Sequence, residues 1–250
     1  MINNFALLDK LNQLLLPQNY QDYCPNGMQV EGQTEIDTII TGVSISEALI
    51  DTAIAKNAQA IIVHHGLFWN KDSYVVTGIK KRRLENLLKH GINLYAYHLP
   101  LDNQPDLGNN VELAKLLEIK ISGNTGEQNL LWYGELTHPT SLSSFTTHIE
   151  NTLQHKPLCF AGKDTTNIRK VAWCTGGADS FFMQAIELGV DVYISGEAAE
   201  PTMNLAHESG VAYIAAGHYA TERYGIMALT KHLHTQFGIN AEFIELYNPV

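Results

Sequence analysis

Residues 38–65 read TIITGVSISEALIDTAIAKNAQAIIVHH. The two ends of this stretch are apolar, β-branched runs typical of buried strands, and residues 44–57 between them carry apolar side chains at helical spacing. Ser44 and Glu47 have the spacing of a capping box at the start of that helix. A strand, a helix and a second strand in this order predict a βαβ unit, in which the two strands lie parallel.

The same alternation of apolar runs and helical segments continues along the chain and then repeats. Residues 60–65 align with residues 192–197 without a gap, and the helix predicted to end at Gly91 aligns with one that ends at Gly210. We therefore predict an α/β fold of two similar lobes related by an internal repeat. Each lobe is expected to have a mostly parallel sheet flanked by helices.

A break rich in glycine, serine and asparagine, at residues 122–129, indicates a boundary between the lobes. On this basis residues 1–125 together with residues 217–250 form the first lobe, which carries most of the candidate metal ligands described below. Residues 126–216 form the second lobe.

The charge, the cysteine pattern and the lengths of the apolar runs argue against several classes of protein. Acidic residues outnumber basic ones by 26 to 16, so a general affinity for nucleic acid is not expected. The chain has three cysteines, Cys24, Cys159 and Cys174. An odd number without CxxC spacing indicates neither a set of disulfides nor a thiolate zinc site, and it is typical of a protein in a reducing compartment. No apolar run has the length of a membrane span and no signal peptide is recognisable. We expect a cytoplasmic protein with no membrane partner.

A histidine and a carboxylate occur twice at the same spacing, each time after a short β-rich run. His98 precedes Asp102 by four residues, and His218 precedes Glu222 by four. One such spacing arises easily by chance in a chain with 11 histidines. With one residue of slip, however, the internal repeat aligns the two pairs with each other, which favours a functional site.

His64 and His65 end a third apolar run, at the point where an open parallel sheet places its ligands. They are either a polar end to a buried strand or metal ligands, and two adjacent imidazoles are costly to bury without a partner. In the repeat they align with Gly196 and Glu197, so the two lobes do not carry equal sites. Histidines and carboxylates without thiolates suit Zn, Mn, Fe or Co.

Four segments carry a resemblance that spans essentially the whole chain: residues 24–32 (CPNGMQVEG), 61–66 (IIVHHG), 97–102 (YHLPLD) and 217–223 (GHYATER). Together they resemble the bacterial branch of the Nif-three-like family of dinuclear-metal proteins, known as GTP cyclohydrolase I type 2 homologues. The resemblance implies two similar α/β lobes and two divalent metal ions per chain. It does not distinguish among Zn, Fe, Mn and Co. It also implies a ring-like, toroidal homohexamer whose metal sites face an internal cavity.

Matched position by position, the resemblance implies these metal ligands: His64, His65, Asp102, His218 and Glu222. His98 lies at the implied site either as a further ligand or as a residue that orients one. If it does not bind metal, His98 is the candidate catalytic residue, as a proton shuttle.

The function implied is that of a GTP cyclohydrolase-like hydrolase, in which hydroxide on the metals opens the imidazole ring of the purine and formate is released. Phe68 and Trp69 either supply a face for the purine or pack inside the protein. Two alternatives stay open: a dimetal phosphoesterase, and a non-catalytic metal-binding ring with a regulatory or scaffolding role.

Overall fold

The computed structural model describes residues 1–250, which form two compact units. Unit 1 comprises Met1–Gly108 and Gly225–Tyr247, and unit 2 comprises Asn109–Tyr224 and Asn248–Val250. The chain therefore leaves unit 1 after one continuous segment and re-enters it through the last helix.

The strands, in chain order, are β1 (Ile2–Asn3), β2 (Gly27–Val30), β3 (Glu35–Ile36), β4 (Thr38–Ser44), β5 (Ala60–His65), β6 (Asn93–Ala96), β7 (Ile119–Thr125), β8 (Leu131–Thr140), β9 (Leu158–Phe160), β10 (Ile168–Trp173), β11 (Val192–Ser195), β12 (Ala212–Ala215) and β13 (Asn240–Phe243).

The α-helices are α1 (Asn4–Leu15), α2 (Glu47–Ala55), α3 (Gly78–His90), α4 (Leu99–Asp102), α5 (Asn109–Leu116), α6 (Leu142–Leu153), α7 (Phe182–Glu187), α8 (Thr202–Ser209) and α9 (His218–Phe237). Not one of them combines the length and the apolar character that a membrane crossing requires.

The main sheet of unit 1 has the strand order β13-β4-β5-β6-β2. The first four strands are parallel, and β2 pairs antiparallel with β6 at one edge. Ile40, Ile61 and Leu94, from three successive strands, pack in one cluster with Leu49 of α2. The predicted mostly parallel sheet is confirmed in this unit.

The sheet of unit 2 has the order β7-β8-β10-β11-β12-β9. Only the central strands β10, β11 and β12 are parallel, and the three outer strands pair antiparallel. Val171 and Ile194 belong to one buried cluster, whereas their neighbours Ala172 and Tyr193 belong to another. Both faces of the sheet are therefore covered, as the α/β class requires. The predicted fold class, two similar α/β lobes with sheets flanked by helices, is confirmed. In this lobe the sheet is mixed instead of mostly parallel, because a hairpin of two long strands, β7 and β8, extends it.

The two units are similar, and the similarity reaches further than the repeat read from the sequence. Strands β4, β5, β6 and β2 have the same order and directions as β10, β11, β12 and β9. Gly91 and Gly210, which end α3 and α8, both adopt the left-handed conformation, with φ of 62° and 82°. A Cβ on Gly32 would lie 2.3 Å from the Gly91 carbonyl oxygen, and one on Gly162 would lie 2.2 Å from that of Gly210. In both units, therefore, one glycine ends a helix and a second glycine packs directly against its carbonyl group.

Residues 122–129, predicted to separate the lobes, lie in β7 and in the turn to β8. Their glycine and asparagine residues serve a hairpin inside unit 2 and do not link two units. The compact units divide the chain after Gly108 and after Tyr224, whereas the sequence predicted divisions after residues 125 and 216.

The start of α2 also differs from the prediction. Ser44 extends β4 and pairs with His65 of β5, so it is not available as a helix cap. The cap is Ser46, whose hydroxyl accepts a hydrogen bond from the backbone N–H of Leu49 at 3.2 Å. Ser44 is thereby placed beside a candidate metal ligand.

Asn93 is a fully buried polar side chain at the start of β6. Its amide nitrogen donates to the carbonyl oxygens of Gln33 and Gln59, at 2.8 and 3.0 Å. Its oxygen accepts from the backbone N–H of Gly32 at 2.8 Å and from the Asn4 side chain at 3.4 Å. One side chain therefore joins several segments of unit 1.

We expect Asn93→Ala to lower the free energy of unfolding by about 1–3 kcal/mol, because three part-buried backbone groups lose a hydrogen bond to a side chain that is itself fully buried. Urea denaturation followed by circular dichroism measures this change. Asn240→Ala is the control, since Asn240 is exposed and makes one long hydrogen bond to Thr38; it should change stability by less than about 0.5 kcal/mol. An equally small effect at both positions would contradict the role given to Asn93.

Candidate metal centre

His64 and His65 are the last two residues of β5. His64 is completely buried, and its Nδ1 lies 3.0 Å from the carbonyl oxygen of Tyr97. Because a carbonyl oxygen only accepts, this nitrogen carries the ring proton. Nδ1 of His65 lies 3.0 Å from the hydroxyl of Ser44.

Asp102 ends the single-turn helix α4, which follows β6 almost directly. Its Oδ1 lies 3.5 Å from Nε2 of His64, and the carboxylate is buried. One nitrogen from each of His64, His65 and His98 lies within 4.8 Å of the other two. Unit 1 therefore gathers three imidazoles and one carboxylate near the carboxyl ends of two parallel strands, where α/β sheets place ligands.

His98 is held by Asp22, a buried carboxylate from the segment before β2. Nδ1 of His98 lies 2.9 Å from Oδ1 of Asp22. Burial opposes the ionisation of Asp22, but hydrogen bonds from His98, Asn26 and the backbone of Leu99 lower its pKa to about 2. Asp22 is therefore an ionised acceptor.

In unit 2, His218 and Glu222 lie on one face of α9, one turn apart. Nε2 of His218 is 3.0 Å from Oε2 of Glu222, and Nδ1 is 2.6 Å from Oε1 of Glu197. Burial disfavours the charged imidazole, but the two carboxylates outweigh it and raise the pKa of His218 to about 9. Without metal, His218 is protonated at neutral pH.

Two glycines make room for this pair. Gly176 has φ of +70°, and a Cβ at this position would lie 2.0 Å from Oε1 of Glu222. A Cβ on Gly196 would lie 2.7 Å from the Cα of His218. Gly196 is the residue that aligns with His64 in the repeat. A histidine is thus excluded there by the backbone of α9, which explains why the two halves carry different side chains.

The donor set fits divalent metal ions. In His64, His98 and His218, Nδ1 faces an oxygen atom that only accepts, so Nε2 is the nitrogen suited to carry a lone pair. Nδ1 of His65 faces the hydroxyl of Ser44, which can accept the ring proton or donate its own. Hydrogen bonds of this kind usually orient metal-binding imidazoles in proteins. Neutral imidazoles and carboxylates suit Zn, Mn, Fe and Co.

Cys24 is a buried thiol that lies beside this group. Single ligand atoms of Asp22, Cys24 and His98 lie within 4.8 Å of one another. Burial, together with the negative charge of Asp22, raises the pKa of the Cys24 thiol far above its usual range. In the absence of metal the thiol is therefore protonated.

The structure brings the predicted residues together within each unit: His64, His65, His98 and Asp102 in unit 1, and His218 and Glu222 in unit 2. The sequence did not reveal Asp22 and Glu197. Glu197 is signalled only by its alignment with His65 in the repeat. Asp22 lies 76 residues from His98 and just outside the matched segment of residues 24–32.

The two aromatic residues after His65 have different surroundings. Phe68 packs against the core of unit 1, and the amine of Lys80 lies 5.1 Å from the centre of its ring. The Trp69 ring centre lies 5.2 Å from that of His98, and the Tyr23 ring centre lies 5.1 Å from it. Trp69 and Tyr23 therefore border the imidazole, whereas Phe68 has a packing role.

Comparison with known proteins agrees with this architecture. The chain matches the protein family described as Duf34/NIF3 (NGG1p interacting factor 3) over residues 3–249. A Yersinia pestis protein named GTP cyclohydrolase 1 type 2 homolog is 47% identical over 248 residues, which cover 99% of this chain and 100% of the relative.

Solved structures are similar over the full length. The protein ybgI, described as of unknown function, superimposes with a TM-score of 0.97 at 44% identity, and the match covers 100% of both chains. The protein TTHA1606 from Thermus thermophilus has a TM-score of 0.89 at 31% identity, again with 100% of both chains covered.

We expect Gly176→Ala to lower the metal content of the purified protein, because the added methyl group displaces the carboxylate of Glu222. Gly189→Ala is the matched control: Gly189 lies in the same unit with φ of +66°, but nothing lies within 4 Å of its added Cβ. Both variants bear the strain of a positive φ, about 1 kcal/mol. Elemental analysis of the two variants separates the effect of backbone strain from the effect of displacing the Glu222 carboxylate. Equal metal content in both variants would contradict the role given to Gly176.

Proposed function

This chain belongs to the Duf34/NIF3 family, and from that premise we propose that it is a dinuclear metal-dependent hydrolase of the GTP cyclohydrolase type 2 kind. The observation that carries the proposal is the orientation of the histidines. Nδ1 of each of His64, His65, His98 and His218 is engaged by an oxygen atom. Such engagement is how proteins prepare Nε2 for metal ions or for proton transfer.

The proposed ligands of two divalent ions are His64, His65, Asp102, His218 and Glu222. Five such ligands exceed the three protein ligands of a typical open catalytic zinc site, and they suit a pair of ions. Glu222 would hold the ions from the interior of the protein. It is almost fully buried, and Gly176 leaves space for one of its oxygens.

Divalent ions in such a site act as Lewis acids and make a water molecule nucleophilic near neutral pH. His98 is the proposed catalytic residue, because Asp22 fixes its Nδ1 and its Nε2 is then the atom able to take and return a proton. Its ring is bordered by Tyr23 and Trp69, which limit its rotation.

A planar base is the proposed part of the substrate that this site recognises. Trp69 and Tyr23 border His98, and Tyr23 is 55% exposed. Aromatic faces of this kind stack on purine rings. Support for GTP in particular comes from the name of the Yersinia pestis relative, GTP cyclohydrolase 1 type 2 homolog. This aromatic border favours cyclohydrolase chemistry over a phosphoesterase, which needs no base recognition.

Two further proposals do not depend on the geometry of the site. On the family resemblance, the chain is proposed to act as a ring-like homohexamer. On its cysteine pattern, its place is proposed to be the cytoplasm. Neither nucleic acid nor a membrane is part of the proposal.

Protein prepared without chelator or polyhistidine tag should contain about two transition-metal ions per chain. His218→Ala and Glu222→Ala should each lower that content sharply and leave the circular dichroism spectrum largely unchanged. His138→Ala, which removes an exposed histidine of β8, is the control and should retain the metal. Wild-type metal content in the first two variants would refute the ligand assignment.

Metal-loaded protein incubated with GTP should release formate. His98→Gln should lower the rate about 100-fold or more, the usual contribution of a general acid–base group, at unchanged metal content. Formate is measured directly, and phosphate is measured in the same samples. Full metal occupancy without formate contradicts the cyclohydrolase proposal; phosphate release would then indicate a phosphoesterase, and neither product a non-catalytic role.

A further inference from the structure

Asp22 is a buried carboxylate that accepts four hydrogen bonds. Its Oδ1 accepts from Nδ1 of His98 at 2.9 Å and from the backbone N–H of Tyr23 at 2.8 Å. Its Oδ2 accepts from the side chain of Asn26 at 2.9 Å and from the backbone N–H of Leu99 at 3.0 Å. With four donors around two oxygens, the site holds the ionised form, which can only accept.

This contact decides which nitrogen of His98 carries the proton. Because the carboxylate cannot donate, the proton of a neutral His98 ring lies on Nδ1. The side-chain oxygen of Asn26 accepts the backbone N–H of His98 at 2.7 Å, so both the backbone and the ring are held by one cluster. Tyr23 and Trp69 pack edge-on against the ring and oppose its reversal.

We infer that Asp22 is a positioning residue that fixes His98 with its proton on Nδ1 and its lone pair on Nε2, toward the group formed with His64 and His65. The catalytic consequence rests on the proposed function, in which His98 moves a proton. The tautomer itself does not depend on that function or on bound metal.

In unit 2 a carboxylate also holds a histidine, but this carboxylate comes from a different part of the chain. Nδ1 of His218 faces Glu197 at 2.6 Å, and Glu197 follows β11, whereas Asp22 precedes β2. The two aligned histidines are thus held in the same way by carboxylates that do not align. Glu197→Gln is therefore a control that alters His218 and leaves His98 unchanged.

Asp22→Asn is the informative variant. Leu99 N–H is a fixed donor at Oδ2, and Asn26 is committed there because its own oxygen binds His98 N–H. An amide nitrogen would lose two partners at that position, whereas at the position of Oδ1 it would lose one, the backbone N–H of Tyr23. It therefore takes the place of Oδ1, where His98 can change from donor to acceptor. His98 then carries its proton on Nε2 and its lone pair points away from the site.

The test is long-range ¹H–¹⁵N correlation of metal-free protein labelled with ¹⁵N-histidine, recorded at alkaline pH so that the rings are neutral. The spectrum of His98→Gln identifies the His98 signals. Wild-type and Glu197→Gln proteins should show His98 protonated at Nδ1, and Asp22→Asn should show it protonated at Nε2. Asp22→Asn should also release formate at least about tenfold more slowly at unchanged metal content, because Nε2 no longer accepts a proton.

Protonation of His98 at Nε2 in the wild type overturns the inference, and this measurement requires no variant to fold. Protonation at Nδ1 in Asp22→Asn, or loss of metal from that variant, overturns it as well, since metal loss would make Asp22 part of the metal site. If the wild-type protein releases no formate, the proposed function fails, and the tautomer measurement alone still decides the role of Asp22.

Discussion

The candidate metal site depends on the atom that each histidine turns toward the protein. Nδ1 of His64 faces the carbonyl oxygen of Tyr97, directly after β6, and that of His65 faces the hydroxyl of Ser44. Nδ1 of His98 and of His218 meets a carboxylate. A ring held at Nδ1 has one remaining nitrogen, so its direction is set before any ligand binds. Parallel strands, single-turn α4 and the first turn of α9 all serve to fix these contacts.

The internal repeat supplies this arrangement twice and then departs from symmetry for steric reasons. The two units share the order of their central strands. They also share a pair of closely packed glycines, Gly32 with Gly91 and Gly162 with Gly210. Unit 2 has Gly196 at the position that corresponds to His64 of unit 1, because the backbone of α9 passes too close to that position for a side chain. Unit 1 therefore holds three imidazoles of its own, and unit 2 holds one imidazole with the deeply buried carboxylate of Glu222.

Much of this was readable from the sequence, since residues 60–65 form an apolar run long enough to fix a buried strand and end in two histidines. What the sequence did not reveal depends on contacts between distant segments. Asp22 reaches His98 across 76 positions, and no local pattern signals that contact. Ser44 has the spacing of a helix cap, but strand pairing overrides this local preference. The sequence predicts a lobe boundary where the β7–β8 hairpin lies, because glycine and asparagine are typical of both.

We expect imidazole and carboxylate groups of this chain to bind the metal, and the cysteine beside them not to bind it. X-ray absorption spectroscopy of the zinc-loaded protein distinguishes the two kinds of ligand. It should show nitrogen and oxygen neighbours at about 2.0–2.1 Å, with the outer scattering pattern of several imidazole rings. Sulfur at about 2.3 Å, or the absence of imidazole scattering, would contradict this expectation.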